Sequence, residues 1–230
     1  MKFSLVFPVY NEAACLENNV LKTMRYLDTL NFDYEIIIAE DNSSDRTYEI
    51  GSNISQNYKQ VRIIHNTKRW GKGNSLKKAF LIAEGEYVGY MDVDLATDLK
   101  HLGEMIGYLG EYDIVTGSRN LKESKAERFF YRKTLSSIYN FLARFLLDSK
   151  IYDHQCGIKV FKKDVILKLN KLSKSSHWFW DTETLILGQK LGYKIKEIPV
   201  KWKEKRETKV KISADSLDMF LSLIKLKLRM

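Results

Sequence analysis

Strand-like and helix-like segments alternate through the first half of the chain. Apolar strand patterns at 3–9, 34–39, 61–64, 87–91 and 113–116 are separated by segments with helical spacing of apolar residues. The segment 34–39 is almost continuously apolar, which is typical of a strand buried on both faces. This order predicts an α/β fold, with a mostly parallel central sheet flanked by helices. At 230 residues, of which 44% are hydrophobic, the chain has the size of one domain.

The second half is less regular. It contains strand patterns at 158–161 and 193–202, helical patterns at 181–191 and 215–226, and an amphipathic, aromatic-rich segment at 128–147. We therefore predict a main domain at 1–212 and a C-terminal amphipathic basic helix at 213–230. No apolar run reaches the length that spans a bilayer, so we do not expect an integral membrane protein. Cys15 and Cys156 lie far apart, which favours packing roles in a reducing compartment.

The net charge of +9 predicts an anionic partner. Eleven Lys and Arg residues lie from Lys194 onward, so the excess is concentrated at one end. An acidic cluster at the predicted strand ends and the lack of a nucleic-acid-binding motif argue against nucleic acid. The 213–230 helix can lie on an anionic membrane surface as a peripheral contact. It can equally pack its apolar face on the core or in a homodimer.

Asp92-Val93-Asp94 directly follows the predicted strand at 87–91. Side chains at positions i and i+2 of an extended chain point the same way, so Asp92 and Asp94 are expected to face one ion. Two carboxylates at a strand end favour a divalent cation, which in turn commonly holds a phosphate. A solvated turn is the alternative for this tripeptide alone.

Polar residues also follow other predicted strands. Pro8, Tyr10 and Glu12 come after the first strand, Asp41 after the second, and Arg119 after the fifth. Ligands of parallel sheets bind beyond the carboxyl ends of the strands, so these residues are expected at one site. Tyr10 can face a nucleobase, and Asp41 can accept a hydrogen bond from a base or a ribose. Arg119 can pair with a phosphate or with a neighbouring carboxylate.

Three further segments carry polar groups. Lys72 lies between two glycines before a predicted helix, where it can bind phosphate or belong to a simple turn. Asp45 is predicted to cap the helix that follows it. Asp153 and His154 are adjacent in extended chain and should point to opposite faces, which argues against a direct catalytic pair.

Two carboxylates, Asp181 and Glu183, follow the aromatic run 178–180. Aromatic walls suit sugar rings or lipid chains, and carboxylates beside them can orient an acceptor or act as a base. A core-facing aromatic patch with Asp181 capping a helix is the alternative.

Taken in order, these motifs resemble glycosyltransferase family 2. They are Pro8-Val9-Tyr10-Asn11-Glu12, Asp41-Asn42-Ser43-Ser44-Asp45, Gly71-Lys72-Gly73, Asp92-Val93-Asp94, Gly117-Ser118-Arg119 and Asp181-Thr182-Glu183. The segment 153–161, and 199–202 followed by Thr208-Lys209-Val210, are similar to the polyprenyl-phosphate sugar synthases, which include dolichyl-phosphate glucosyltransferases and mannosyltransferases.

The resemblance implies a nucleotide-sugar transferase domain of the GT-A type and a role for each matched residue. Pro8, Tyr10, Glu12 and Asp41 match positions that hold the donor nucleoside. Asp92 and Asp94 match the acidic pair that meets the nucleoside and Mg²⁺ or Mn²⁺, with Asp94 the direct ligand and a catalytic residue. Arg119 and Lys209 match cations near the donor diphosphate or the lipid phosphate, and Lys205 falls near another. Asp181 and Glu183 are expected to position the acceptor, or to act as base if the acceptor is a hydroxyl.

The implied reaction is inverting transfer of a hexose from UDP-glucose or GDP-mannose to a polyprenyl or dolichyl phosphate, at the cytoplasmic face of a membrane. Ala96-Thr97 and Gln155-Cys156-Gly157 favour the glucosyl members. Transfer onto the hydroxyl of a soluble or lipid-linked glycan is an alternative within the family. A non-catalytic nucleotide-sugar binder is an alternative from another class.

Overall fold

The computed structural model describes residues 2–204 and 212–230. The first half contains, in chain order, β1 (Lys2–Val9), α1 (Leu16–Asp28), β2 (Asp33–Glu40), α2 (Thr47–Asn57), β3 (Val61–His65), α3 (Lys72–Ile82), β4 (Tyr87–Met91), α4 (Lys100–Tyr108) and β5 (Ile114–Ser118). The second half contains β6 (Lys125–Glu127), α5 (Phe130–Leu147), β7 (Ile158–Lys162), α6 (Lys163–Leu172), α7 (Trp180–Lys190), β8 (Ile195–Pro199), β9 (Lys201–Lys203) and α8 (Ile212–Arg229).

Seven strands form the central sheet in the order β3-β2-β1-β4-β7-β5-β8. Strand β7 runs antiparallel to both of its neighbours, and the other pairings are parallel. Val6 of β1 lies opposite Ile37 of β2 on one side and Tyr90 of β4 on the other. The predicted α/β fold with a mostly parallel central sheet is confirmed.

Alternate residues of the inner strands face two different helix layers. Leu5 and Ile36 belong to the apolar cluster formed with α1, α2 and α4. Val6 and Ile37 belong to the cluster formed with α3, α6 and α7. Because both faces of these strands are covered by helices, the strand sequences are continuous apolar runs. Full burial of one such side chain stabilises the fold by about 2 kcal/mol as an upper estimate.

The second half differs from the prediction in two places. Helix α6 was not predicted, although Val165, Ile166 and Leu169 are buried with helical spacing. The single strand expected at 193–202 is two strands, because the chain leaves the central sheet after Pro199. Strand β9 then pairs in parallel with β6 to form a separate two-stranded sheet. Three-residue strands are too short to carry an alternation pattern.

Helices α5 and α8 pack against each other beside the main sheet. Their buried side chains, with those of α7, form a third apolar cluster that includes Ala143, Leu147, Leu223 and Leu226. On each of these two helices, the face away from the buried side chains carries large exposed apolar residues. They are Leu135, Ile138, Phe141, Phe145, Leu217, Phe220, Leu221, Ile224 and Leu228. We call this set the apolar face. Within 2–204 and 212–230, no helix combines the length and the hydropathy that crossing a bilayer requires.

Candidate active site

A cavity of about 550 Å³ lies beyond the carboxyl ends of β1, β2 and β4. Strand order reverses between β1 and β4, which is where open α/β sheets bind ligands. Most of the predicted site residues line this cavity, namely Pro8, Tyr10, Glu12, Asp41, Lys72, Asp92, Asp94, Arg119 and Asp181. Glu183 is not among the lining residues, and Lys205 and Lys209 lie outside the described residues.

Asp92 and Asp94 both line the cavity, although the expected extended geometry is wrong. The backbone N–H of Leu95 donates to the Asp92 carbonyl at 3.1 Å, so the segment is a turn, and Leu95 has a φ of 51°. Val93 is buried as expected. The Asp92 carboxylate packs directly on Gly157, where an added Cβ would lie 2.0 Å from Oδ2. The absence of a side chain at 157 is therefore what makes room for this carboxylate.

Asp41 holds the loop that starts α3. Its carboxylate accepts hydrogen bonds from the backbone N–H groups of Trp70 and Gly71, at 2.8 and 2.9 Å, and from the Ser75 hydroxyl. Gly71 has a φ of 87°, a conformation that favours glycine. Asp41 thus shapes the cavity wall through its own hydrogen bonds; contact with a nucleoside remains a prediction.

Lys72 is the first residue of α3 and reaches back into the cavity. Its Nζ lies 3.1 Å from Oδ1 of Asp92 and 3.3 Å from Oδ2 of Asp181. Burial alone would lower the pKa of this ammonium, but Asp181 and Asp92 outweigh burial and raise it. Lys72 therefore stays charged beneath the acidic wall of the cavity.

Asp181, in the first turn of α7, is almost completely buried. Its Oδ1 accepts hydrogen bonds from Nζ of Lys159, at 2.9 Å, and from the hydroxyl of Tyr90. Burial would raise the pKa of this carboxyl, but Lys159 and Lys72 outweigh burial and lower it. A carboxylate held ionised by two ammonium groups is a weak general base.

Glu183 points away from the cavity. Its carboxylate accepts from the Ser173 hydroxyl at 2.6 Å and the Ser175 backbone N–H at 2.8 Å, and it pairs with Arg229 of α8. Burial opposes ionisation, yet these partners together lower the pKa of Glu183 to about 2. The structure thus gives Glu183 a structural position between α7 and α8, which does not support the expected role at the acceptor.

Arg119 has the carboxylate partner that the sequence offered as one option. Its Nε and Nη2 donate to Oδ2 and Oδ1 of Asp153, at 2.7 and 2.9 Å. His154 instead contacts Asn140 and Ser149, which confirms that Asp153 and His154 are no direct pair. The Cys156 thiol is buried, and burial raises its pKa to about 12, consistent with a packing role.

Arg128 and Arg132 line the same cavity and were missed. Arg132 pairs with Glu204, whereas Arg128 donates to Asn120 at 2.9 Å. Arg128 makes no ion pair within the described part of the chain, and its Nε has no hydrogen-bond partner there. Burial, and then the nearby Arg119, lower the pKa of Arg128, so this region is rich in positive charge. No motif surrounds Arg128, so only its basic side chain just before α5 could have indicated a site.

Two other predictions concern aromatic and capping residues. The Tyr10 ring lies under the guanidinium of Arg69, whose Cζ is 3.9 Å from the ring centroid.

Asp45 accepts the Thr47 backbone N–H at 3.0 Å where α2 begins, as expected of a capping carboxylate.

The cavity also has an apolar wall. It is built by Leu135, Ile138, Tyr139 and Leu142 of α5 and by Met219 and Phe220 of α8. Leu135, Ile138 and Phe220 are themselves exposed and belong to the apolar face. The wall of the cavity is therefore continuous with the outer surface of α5 and α8.

The chemistry of Asp92 and Asp94 fits a divalent ion that arrives with a substrate. Carboxylate oxygens are the ligands that Mg²⁺ and Mn²⁺ prefer, and such ions commonly keep waters and substrate phosphates in the remaining positions. No cluster of three or more His, Cys, Asp or Glu that could hold an ion alone occurs in the described ranges. Two protein carboxylates facing an open cavity suit an ion that is also held by a diphosphate.

Residues 4–169 match the family model described as glycosyl transferase family 2. The chain belongs to glycosyl transferase family 2. A dolichyl-phosphate beta-glucosyltransferase of Trichomonas vaginalis is 34% identical over 234 residues, which cover 97% of this chain and 72% of that protein. The glycosyltransferase AglD of Haloferax volcanii is 40% identical over 223 residues, which cover 95% of this chain and 36% of AglD. The chain thus spans about a third of AglD.

Solved glycosyltransferases share the fold of this family 2 chain. The glucosyl-3-phosphoglycerate synthase of Mycobacterium tuberculosis, in complex with UDP, superposes with a TM-score of 0.76 at 18% identity, covering 98% of this chain and 80% of that one. The same enzyme has also been solved with Mn²⁺, UDP-glucose and phosphoglyceric acid, and that structure superposes with a TM-score of 0.73.

Proposed function

We propose that this family 2 chain transfers glucose from UDP-glucose to the phosphate of a polyprenyl or dolichyl phosphate, with inversion at the sugar C1. The observation that carries the proposal is the composition of one cavity. Its acidic end contains Asp92 and Asp94, its basic side contains Arg119 and Arg128, and its apolar wall opens onto the surface of α5 and α8. A phosphate with a long apolar chain matches the basic side and the apolar wall together.

The part of the cavity that binds the sugar donor is assigned from the residues beyond β1 and β4. Asp92 and Asp94 are the residues that would hold Mg²⁺ or Mn²⁺, and the bound ion would neutralise charge on the leaving diphosphate. Lys72 adds a second cation next to Asp92. Pro8, Tyr10, Glu12 and Asp41 are proposed to surround the nucleoside. A manganese and UDP-glucose complex of a protein with the same fold supports this division.

The acceptor end follows from Arg128, whose guanidinium has no carboxylate partner among the described residues. Arg119 lies beside it, so both can meet one phosphate. The apolar wall of α5 and α8 begins next to them and can hold the first isoprene units. Relatives that are named dolichyl-phosphate beta-glucosyltransferases support this acceptor and favour glucose over mannose.

The chemistry requires no protein base. A phosphomonoester has a second pKa of about 6, so its oxygen is largely ionised near neutral pH. This oxygen forms a bond to C1 of the sugar, and the bond between C1 and the β-phosphate oxygen breaks. UDP leaves with the bonding electrons, and no proton needs to move. The weak basicity of the doubly paired Asp181 therefore favours a phosphate acceptor over a sugar hydroxyl.

The apolar face is proposed to rest on an anionic membrane surface, at the side where the acceptor lipid enters. Phe141 and Phe145 on α5 are 64% and 75% exposed, and Lys225 and Lys227 are exposed on α8. Apolar residues flanked by cations are typical of helices that lie in the membrane interface. The cytoplasmic face is the expected side, since nucleotide sugars and reduced cysteines belong to that compartment.

The proposal is tested by acceptor choice. The purified chain is incubated with labelled UDP-glucose, Mn²⁺ and either a polyprenyl phosphate, the matching polyprenol, or a soluble oligosaccharide. Label should enter the organic phase only with the polyprenyl phosphate, and Asp94→Asn should abolish it. Label confined to the oligosaccharide would reject the lipid acceptor, and unchanged metal-dependent transfer by Asp94→Asn would reject the metal assignment.

A further inference from the structure

The ammonium of Lys72 is shared between two carboxylates of unequal exposure. Its Nζ lies 3.1 Å from Asp92 and 3.3 Å from Asp181. The Asp92 side chain is 46% exposed to the cavity, whereas that of Asp181 is 3% exposed. Asp92 is thus the carboxylate that an incoming ion can reach, and Asp181 is the one that it cannot.

Lys72 and a divalent ion compete for Asp92. Both are cations, and both need the oxygens of a carboxylate. The Lys72 side chain is only 10% exposed, and a buried ammonium that loses its carboxylate partner is strongly destabilised. An ion can therefore take Asp92 at low cost only if Lys72 keeps another anionic partner.

We infer that Asp181 is a positioning residue that retains the Lys72 ammonium when a divalent ion takes the Asp92 carboxylate. This inference rests on the proposed function, since it assumes that Asp92 binds the ion. This role is distinct from the roles of base or acceptor-positioning group that the sequence suggested for Asp181.

The surroundings of Asp181 suit a fixed partner. Its Oδ1 is occupied by the Tyr90 hydroxyl and by Nζ of Lys159. Lys159 is itself fully buried and also donates to the Cys156 carbonyl at 2.9 Å. These bonds leave Oδ2 directed at Lys72. Two lysines and two aspartates balance in charge before the ion arrives.

The test is a double-mutant cycle on Mn²⁺ binding, measured by water-proton relaxation in the presence of saturating UDP. Asp181→Asn should raise the Kd for Mn²⁺ by about tenfold, because Lys72 then keeps hold of Asp92. In the Lys72→Met background the same Asp181→Asn change should have almost no effect, because no ammonium competes. A purely structural role for Asp181 would weaken binding equally in both backgrounds and would overturn the inference.

The controls are the exposed residues Asp33 and Lys171. Asp33→Asn and Lys171→Met should leave the Kd unchanged. If Asp181→Asn alone does not fold, Asp181→Asn with Lys159→Met removes the buried pair without a net charge, and its Kd should rise to the same degree. An unchanged Kd in that variant would overturn the inference.

The inference about Asp181 and the proposed function are contradicted by different results. If the wild-type chain binds Mn²⁺ with UDP and Asp181→Asn weakens that binding equally with and without Lys72, the inference is wrong and the proposed function stands. If the wild-type chain does not bind Mn²⁺ with UDP, both are wrong.

Discussion

Arg119 and Asp153 form a fork-to-fork ion pair, with Nε–Oδ2 and Nη2–Oδ1 distances of 2.7 and 2.9 Å. The Asp153 side chain is fully buried, and the Arg119 side chain is nearly so. Burial would raise the pKa of Asp153, but Arg119 holds it well below its usual range. The pair therefore fixes one guanidinium at the basic side of the cavity.

Arg119→Lys should destabilise the fold by about 1–3 kcal/mol, because an ammonium cannot form both bonds of the fork. It should also raise the KM for the polyprenyl phosphate. Urea unfolding and acceptor titrations measure the two effects. Arg25→Lys, at an exposed position of α1, is the matched control and should change neither. Full stability and an unchanged KM in Arg119→Lys would show that the fork has no part in the site.

Gly157→Ala should disturb the acidic site without unfolding the chain. The new Cβ would lie 2.0 Å from Oδ2 of Asp92, so the carboxylate must leave its present position. We expect weaker Mn²⁺ binding and a loss of transfer by at least about tenfold. Gly107→Ala, which places its Cβ in open space on α4, is the control and should be neutral or slightly stabilising. Equal Mn²⁺ binding in the two variants would contradict the packing argument.

Glu183→Gln should change how stability depends on acid. The folded-state pKa of Glu183 is about 2 against an ordinary value of 4.5, so ionised Glu183 stabilises the native state. This contribution of about 2 kcal/mol is fully present above pH 4.5 and is lost as the pH falls toward 2. Urea unfolding across this range should therefore show a shallower slope for Glu183→Gln than for the wild type. Glu111→Gln, at an exposed site, should retain the wild-type slope.

The apolar face can be tested apart from folding. Phe141→Ser combined with Phe145→Ser should weaken flotation with anionic liposomes, because both side chains are exposed and flank the lipid entry proposed here. Thermal stability should change little, since neither ring is buried in the fold. Leu81→Ser removes an equally exposed apolar residue from α3 and should leave flotation unchanged. A loss of flotation in Leu81→Ser as well would mean that binding has no preferred face.

Much of the sheet and the donor end could be predicted because their patterns are local. Buried strands such as β2 are continuous apolar runs, and the polar residues that follow them mark the ligand edge of a parallel sheet. Asp92 and Asp94 lie at this edge for that reason, even though their backbone is a turn.

The partners of the site residues could not be predicted, because they come from distant parts of the chain. Strand β7 inserts antiparallel between β4 and β5 and brings Lys159 beneath Asp181. Lys72 then meets Asp181 from a third element, α3. Nothing in the local sequence at 181 shows that two lysines neutralise this carboxylate.

The position of Glu183 outside the cavity lining follows from the helix prediction. Residues two positions apart on an α-helix are rotated by roughly 200°, so Asp181 and Glu183 cannot face the same cavity once both lie on α7. The helix prediction for 181–191 already contained this consequence. Arg128, in contrast, belongs to no motif, and its placement beside Arg119 follows only from the fold.

The most direct measurement is the structure of the product. UDP-glucose, GDP-mannose and a polyprenyl phosphate are offered together to the purified chain with Mn²⁺, and the lipid product is analysed by mass spectrometry and phosphorus NMR. We predict one glucose joined through its C1 to the lipid phosphate as a β-linked phosphodiester. A hexose attached to a hydroxyl, or no lipid-linked hexose from either donor, would contradict the account.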